Sequence, residues 1–169
     1  MPQPYHQYVF RIGFLGFRYS GWQHQPAEKT VEGMMQKTMR FVMPGRKFKF
    51  LGDGRTDARV SAMDFAIQFI LWGSPVESTG SLMAAVNANL PPDIRLNSLE
   101  AVPADFNAIR DSTRKTYQYY FATGPKPHPF CAPLLGYFPG PLDIQAMVRA
   151  APLFKGTHDF STFITRPAE

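Results

Sequence analysis

Apolar residues recur at every second position in the first strand-like stretch of the chain. Tyr8, Phe10, Ile12 and Phe14 share one face of this stretch, which predicts a strand over 8–17. The run from 63 to 72 is apolar almost throughout, as is typical of a strand in the centre of a sheet. The short stretch FKFL at 48–51 and the alternating stretch at 94–102 predict two further strands, the latter at an edge.

Two predicted helices separate these strands. Thr30 is the expected N-cap of a helix that runs to about Met43, with an apolar stripe that includes three methionines. Ser78 or Thr79 begins a second helix, which ends before Pro91. The order strand, helix, strand, strand, helix, strand is that of ferredoxin-like and RNA-recognition domains. We therefore predict an α+β fold with an antiparallel sheet for residues 1–103.

Residues 104–169 predict a second unit. The stretch RKTYQYYFAT at 114–123 is strand-like, a proline-rich loop follows, and residues 141–154 have a helical pattern. One strand, one helix and part of another strand do not close a sheet. We therefore expect 104–169 to be the incomplete start of a second ferredoxin-like domain.

The composition indicates a folded protein of a reducing compartment. Of 169 residues, 44% are hydrophobic and 14% aromatic, enough for a packed core. The single cysteine, Cys131, excludes an internal disulfide. The first ten residues lack the pattern of a signal peptide, and no apolar run is long enough to span a bilayer. The sequence predicts a cytoplasmic protein without a membrane partner.

Basic residues are unevenly distributed along the chain. The net charge is +5, and no acidic residue occurs between Glu32 and Asp53, where five basic residues fall: Lys37, Arg40, Arg46, Lys47 and Lys49. Between Asp111 and Asp143 the charged residues are all basic: Arg114, Lys115 and Lys126. A phosphate backbone and an ordinary solvated face both explain such runs.

The stretch LGDGRTDARVSAMDF at 51–65 combines a glycine-rich turn with paired charges. Glycines at 52 and 54 allow a sharp turn before the central strand. Asp57 taken alone fits a turn-capping role, and Arg55 taken alone fits a solvated charge. A carboxylate on an exposed turn also suits nucleophilic or general-base catalysis, so both interpretations stay open at this point.

Five motifs in one order resemble the TruA family of tRNA pseudouridine synthases, over nearly the whole chain. They match the family patterns GRTDAGVHA, YxGWQxQ, LNAxLPxDI, RxYxY and GxHDFxxF, and cover only the amino-terminal portion of a usual member. The matching stretches are GRTDARVSA at 54–62, YSGWQHQ at 19–25, VNANLPPDI at 86–94, RKTYQYYF at 114–121 and GTHDFSTF at 156–163.

The resemblance implies a function and roles for particular residues. Family members convert uridine to pseudouridine in the anticodon stem-loop of tRNA, at about positions 38–40, on a base flipped out of its stack. Asp57 matches the catalytic carboxylate, Arg55 the base-flipping arginine and Tyr119 the stacking tyrosine. Arg114, Lys115 and Arg59 are candidate contacts to the RNA backbone. The resemblance implies no cofactor, and typical members are homodimers.

The chain departs from the family pattern at several positions. Arg59 replaces a glycine, at a cost of about 1 kcal/mol or more if that position needs a positive φ. Ser61 replaces a histidine, and FHAR becomes FNAI, so Ile109 replaces an arginine. Family members continue into a second domain that supplies a basic partner for the catalytic aspartate. A non-catalytic RNA-binding module is therefore the alternative hypothesis.

Two other groups favour structural roles. The four histidines are scattered and lack the spacing of a metal-binding motif, so we expect no metal site. His158 and Asp159 are instead expected to form structural hydrogen bonds. Trp22 is expected to anchor a packed loop rather than to contact RNA.

Overall fold

Six strands and three helices are present in residues 4–163, the part of the chain that the computed structural model describes. The elements are β1 (Tyr5–Phe14), α1 (Val31–Val42), β2 (Phe48–Gly52), β3 (Ala62–Trp72), α2 (Thr79–Asn89), β4 (Ile94–Ala101), β5 (Phe121–Thr123), β6 (Gly136–Phe138) and α3 (Ile144–Ala150).

The first four strands form one antiparallel sheet in the order β2-β3-β1-β4. The β1–α1–β2 unit is split, because β3 lies between β1 and β2. This is the ferredoxin-like arrangement, so the predicted α+β fold class is confirmed. The predicted central position of β3 and edge position of β4 are also confirmed.

Helix α1 forms where the sequence predicts it. The Thr30 hydroxyl accepts a hydrogen bond from the Gly33 amide at 3.2 Å and so caps the first turn. Val31, Met35 and Met39, at four-residue spacing, are fully buried against the sheet. The methionines therefore serve as core residues, and each fully buried one contributes about 1.5–3 kcal/mol of hydrophobic stabilisation.

Both helices cover the same face of the sheet. Its centre is an aromatic cluster in which the Phe10 ring lies 4.8 Å from Phe69 and 5.8 Å from Phe50. Alternate residues of β1 and β3 point into this core, in agreement with the period-two pattern. Leu82 and Val86 add the contribution of α2.

Strand β4 differs from the simple alternation that its sequence indicates. That alternation places Ile94, Leu96 and Ser98 on one face, yet Leu99 rather than Ser98 is buried. The register between β1 and β4 shifts between Arg11 and Ile12, as in a β-bulge. A bulge inserts one residue into the ladder and moves the following side chains to the other face.

The other face of the sheet is covered in part by residues 103–111. Gln68 donates hydrogen bonds to the Phe106 carbonyl at 2.9 Å and to Gln7, and its side-chain oxygen accepts from the Ala108 amide at 3.1 Å. Gln7 in turn donates to the Ala104 carbonyl. Burial of both glutamines is tolerated because their polar atoms are paired.

Residues 112–163 contain little regular structure. The strand predicted over 114–123 exists only as β5, which pairs in parallel with β6. The helix predicted over 141–154 is shorter: Asp143 caps α3, and a 3₁₀ turn follows at 151–154. Among the described residues, no helix is both long and apolar enough to cross a membrane. The domain boundary after residue 103 stays a prediction.

Candidate active site

The loop at 53–61 joins the edge strand β2 to the central strand β3. Arg55, Asp57 and Arg59 are all exposed on it, so three charged side chains project from one end of the sheet. The Val60 amide donates to the Asp57 carbonyl at 3.2 Å, which closes the turn. A carboxylate and two guanidinium groups are thereby accessible from solvent on one short loop.

A second loop, at 15–22, holds the first in place. The Arg59 amide donates to the Tyr19 carbonyl at 3.0 Å, and the Trp22 amide donates to the Thr56 carbonyl at 3.1 Å. The Gly16 amide donates to the Ser61 hydroxyl at 2.9 Å. The motifs YSGWQHQ and GRTDARVSA are therefore in direct contact.

Two glycines permit this close approach. A Cβ added to Gly16 would lie 1.9 Å from the Val60 carbonyl oxygen. One added to Gly21 would lie 2.5 Å from the Thr56 carbonyl oxygen, and Gly21 has a φ of +89°. Any larger residue at either position would push the two loops apart.

Arg59 occupies the left-handed region of backbone space, with a φ of 67°. Among the described residues it is the one non-glycine residue with a positive φ. Its guanidinium carbon lies 5.8 Å from the centre of the Phe17 ring, which gives a cation–π contact. Arg59 therefore carries the strain that a positive φ imposes on a residue with a side chain, and the contact with Phe17 offsets part of it.

Tyr19 and Asp93 connect a third motif to the two loops. The Tyr19 hydroxyl donates to the Asp93 carboxylate at 2.6 Å, and Arg18 lies 3.7 Å from the other carboxylate oxygen. Burial, together with the hydrogen bond to Asp93, raises the pKa of Tyr19. The Leu15 amide donates to the Asp93 carbonyl at 2.9 Å. Asp93 belongs to VNANLPPDI, so three of the quoted motifs converge here.

Trp22 is a packing residue, as predicted. It is 3% exposed, and its ring centre lies 4.7 Å from that of Phe65. A Cβ on Gly52 would lie 2.7 Å from the indole nitrogen, so the indole also covers the end of β2.

Lys115 reaches the candidate loop from the second half of the chain. Its ammonium group donates to the Asp53 carbonyl at 2.7 Å and lies close to Gly54. Burial raises the pKa of the Asp53 carboxyl, while Lys115 and Arg11 act in the opposite direction. Lys115 therefore links residues 112–120 to this loop, and both Lys115 and Arg114 are exposed.

Tyr119 lies beside the β5–β6 sheet. Its ring centre is 6.4 Å from that of Phe121, and a Cβ on Gly136 would lie 2.6 Å from the Tyr119 hydroxyl. The ring is 72% exposed. It forms none of the hydrogen bonds found for the loop at 53–61 in the described chain. Its role as a base-stacking residue stays a prediction.

The remaining departures from the family pattern are at positions 61 and 109. Ser61 supplies the hydroxyl that accepts from Gly16. Ile109 is 57% exposed. Arg110 donates to the Asp111 carboxylate at 2.7 Å and to the Asp105 carbonyl at 2.6 Å, so its guanidinium group is committed within its own turn.

The structure groups no metal ligands within residues 4–163. No three histidine, cysteine, aspartate or glutamate side chains there lie close enough to hold a metal ion. His158 contacts the Lys155 carbonyl at 2.8 Å, and Asp159 accepts from the Ser161 amide at 2.9 Å. Both residues therefore form the structural hydrogen bonds expected of them.

The sequence did not reveal two of these connections. Asp93 lies within a quoted motif, which marks the position, but its pairing with Tyr19 spans 74 residues. The contact between Lys115 and Asp53 spans 62 residues. A pattern within a few residues cannot predict either of these two contacts.

The fold and this loop define the class of protein: a ferredoxin-like α+β domain that presents a carboxylate between two arginines at one end of its sheet. No protein-family model matches the chain. Curated relatives do match it. "tRNA pseudouridine synthase A" of Lacticaseibacillus casei is 35% identical over 157 residues, which cover 92% of this chain and 62% of that protein.

Two further relatives carry the same name. That of Solibacter usitatus is 36% identical over 158 residues, covering 93% of this chain and 64% of the relative. That of Lysinibacillus sphaericus is 36% identical over 157 residues, covering 90% and 61%. The chain is therefore similar to the TruA family of tRNA pseudouridine synthases over nearly its whole length. It spans somewhat more than three-fifths of the length of these relatives.

Proposed function

We propose that this chain takes part in the conversion of uridine to pseudouridine in the anticodon stem-loop of tRNA. The observation that carries the proposal is the match to tRNA pseudouridine synthase A proteins over 92% of the chain, including the exposed loop with Asp57. The loop is held by backbone hydrogen bonds rather than by its own charged side chains. Its carboxylate therefore stays available to a substrate.

The reaction moves one bond between base and sugar. The bond from C1′ of the ribose to N1 of uracil breaks, the base rotates, and a bond forms from C1′ to C5. N1 gains a proton and C5 loses its hydrogen as a proton, so the reaction is an isomerisation without a redox step. Asp57 acts as nucleophile or base in this scheme, and no cofactor is needed.

Arg55 and Tyr119 assist in this scheme by controlling the base. Arg55 fills the space that the flipped uridine leaves and offsets part of the few kcal/mol that flipping costs. Tyr119 covers the flipped base, where stacking contributes about 1–3 kcal/mol. The exposure of Tyr119 leaves its ring accessible for this role.

Arg59, Arg114 and Lys115 contribute positive charge around the same loop. Arg59 and Arg114 are exposed and suit contact with the phosphate backbone. Lys115 already donates to Asp53, so its main contribution is to hold the loop.

A second candidate is a tRNA-binding module without catalytic activity. The departures from the family pattern favour it: Arg59 stands in a left-handed conformation where the family has glycine, and the exposed Ile109 replaces an arginine. This candidate predicts salt-dependent tRNA binding because phosphate contacts release counterions. It predicts no turnover.

The test is tritium release from tRNA labelled at C5 of its uridines. The reaction expels that hydrogen, so release measures the chemistry directly. We expect release by the unchanged chain and none by Asp57→Asn, with tRNA binding retained. Release by Asp57→Asn would exclude the catalytic role of Asp57.

Asp105→Asn is the matched control. Asp105 is exposed and lies outside the loop, so the same chemical change there should leave release unchanged. Binding of tRNA without release by the unchanged chain would favour the non-catalytic module.

Homodimer formation is a separate proposal, tested by the mass of the chain in solution.

A further inference from the structure

A groove of about 360 Å³ lies between α1 and β2, on the edge of the sheet. We call it the α1–β2 groove. Its wall includes four basic side chains, Arg40, Arg46, Lys47 and Lys49, and one acidic side chain, Glu32. Four cations against one carboxylate make the groove strongly basic.

The four basic groups lack acidic partners. None of them forms an ion pair within residues 4–163. The Glu32 carboxylate instead accepts from the His24 amide at 2.8 Å and from the Gln36 amide group at 3.1 Å. Its charge is therefore partly satisfied by neutral donors, and the positive charge of the groove is not cancelled.

Contacts with the rest of the fold hold two of the four cations, and three of the four are exposed. Arg46 donates to the carbonyls of Trp72 and Ser74, and the Lys47 ammonium lies 5.0 Å from the centre of the Trp72 ring. Arg40, Lys47 and Lys49 are exposed, and Arg46 is half-buried. The groove thus presents three exposed basic side chains beside the half-buried Arg46.

The shape of the groove suits a chain-like ligand. Five consecutive residues, 46–50, line it, so it follows the start of β2 for about 13 Å at about 3.3 Å per residue. The same strand ends at the loop that carries Asp57. An extended polyanion that lies along β2 would therefore reach both the groove and the candidate active site.

We propose that the α1–β2 groove binds the phosphate backbone of the tRNA, as a second contact region separate from the loop at 53–61. The inference rests on the proposed function for its choice of tRNA as the polyanion. Charge complementarity carries it: a basic groove without acidic partners attracts a phosphate chain and releases its counterions. The contacts are to phosphate, so they position the RNA without reading its sequence.

A competing explanation is that the basic residues only protect the sheet edge. Strand β2 is an edge strand, and lysines on such strands prevent pairing with other chains. Lys49→Glu separates the two explanations, since it keeps a charge at the edge but reverses its sign.

The experiment measures the affinity of a transcribed tRNA for the chain as a function of KCl concentration. In the double variant Arg40→Gln, Lys49→Gln we expect affinity to fall about tenfold near 0.1 M salt. The slope of log affinity against log salt should become shallower by about 1–2, because each lost phosphate contact removes about one unit. Lys49→Glu should weaken binding while the chain keeps the oligomeric state of the unchanged protein.

The matched control is the double variant Arg95→Gln, Lys126→Gln. It changes net charge by the same amount, on the opposite edge strand β4 and in the proline-rich loop. Its affinity and salt slope should stay close to those of the unchanged chain. Equal behaviour of the two double variants, or unchanged binding by Lys49→Glu, would overturn the inference.

The outcome also separates this inference from the proposed function. If tritium release persists while groove variants bind like their controls, the groove proposal fails and the catalytic one stands. If binding depends on the groove but the unchanged chain releases no tritium, the catalytic proposal fails and the groove proposal stands.

Discussion

Arg59 combines a strained backbone with a favourable side-chain contact. A left-handed conformation costs an L-residue about 1–2 kcal/mol, and a cation–π contact at an exposed site returns about 0.5–1 kcal/mol. The residue therefore stays at φ 67° because the loop contacts around it hold the backbone there.

Arg59→Gly should stabilise the chain by up to about 1 kcal/mol. Glycine adopts positive φ without the Cβ penalty, although its freer unfolded chain removes part of the gain. Urea unfolding measures the change in the free energy of unfolding. Arg59→Ala is the control, because it keeps the Cβ and loses the contact with Phe17, so it should not stabilise. A glycine variant less stable than the alanine variant would contradict this interpretation.

The two loops of the candidate site act as one element. Loop 15–22 supports loop 53–61 through backbone contacts, and the approach is close enough that Gly21 has no room for a methyl group. The geometry around Asp57 therefore depends on residues far from it in sequence.

Gly21→Ala should destabilise the chain by at least about 1 kcal/mol more than Gly45→Ala. Both glycines have a positive φ, +89° for Gly21 and +75° for Gly45, so alanine causes backbone strain in both variants. A Cβ at Gly45 meets nothing within 4 Å, whereas one at Gly21 meets the Thr56 carbonyl at 2.5 Å. Urea unfolding compares the two, and equal destabilisation would show that the loop contact does not matter.

At the scale of the whole molecule, the buried core lies almost entirely in the first hundred residues. Among the described residues, the buried apolar side chains fall between Tyr8 and Leu99, with Ala108 as the one addition. Residues 112–163 instead expose large apolar side chains such as Phe130 and Leu153.

Amide hydrogen exchange should follow this division. We expect the amides of β1 and β3 to be the most protected, because they lie in the centre of the sheet and open only with global unfolding. Amides of β5, β6 and α3 should exchange at least about tenfold faster. The chain in denaturant provides the unprotected reference. Equal protection of both regions would show that residues 112–163 share the core's stability.

Features that depend on residues close together in sequence were predicted correctly, whereas features that depend on contacts between distant residues were not. Thr30 as a cap, the methionine stripe of α1 and the central strand β3 were predicted because their patterns repeat within a few residues. Strand β4 was predicted as an element, but its bulge was not, since the bulge depends on the register with β1. Of the strand predicted over 114–123, only 121–123 forms, because residues 114–120 do not pair with a neighbouring strand.

The sequence by itself determined the elements of the first domain, their order and the loop that carries Arg55 and Asp57, since periodicity and turn chemistry act locally. It also indicated the similarity to the TruA family through five short motifs. Only the tertiary structure decided which distant groups meet: Tyr19 with Asp93, Lys115 with Asp53, and the basic residues around one groove. These residues are far apart in sequence and come into contact only when the chain folds. Periodicity and turn chemistry, which act over a few residues, therefore cannot predict such contacts.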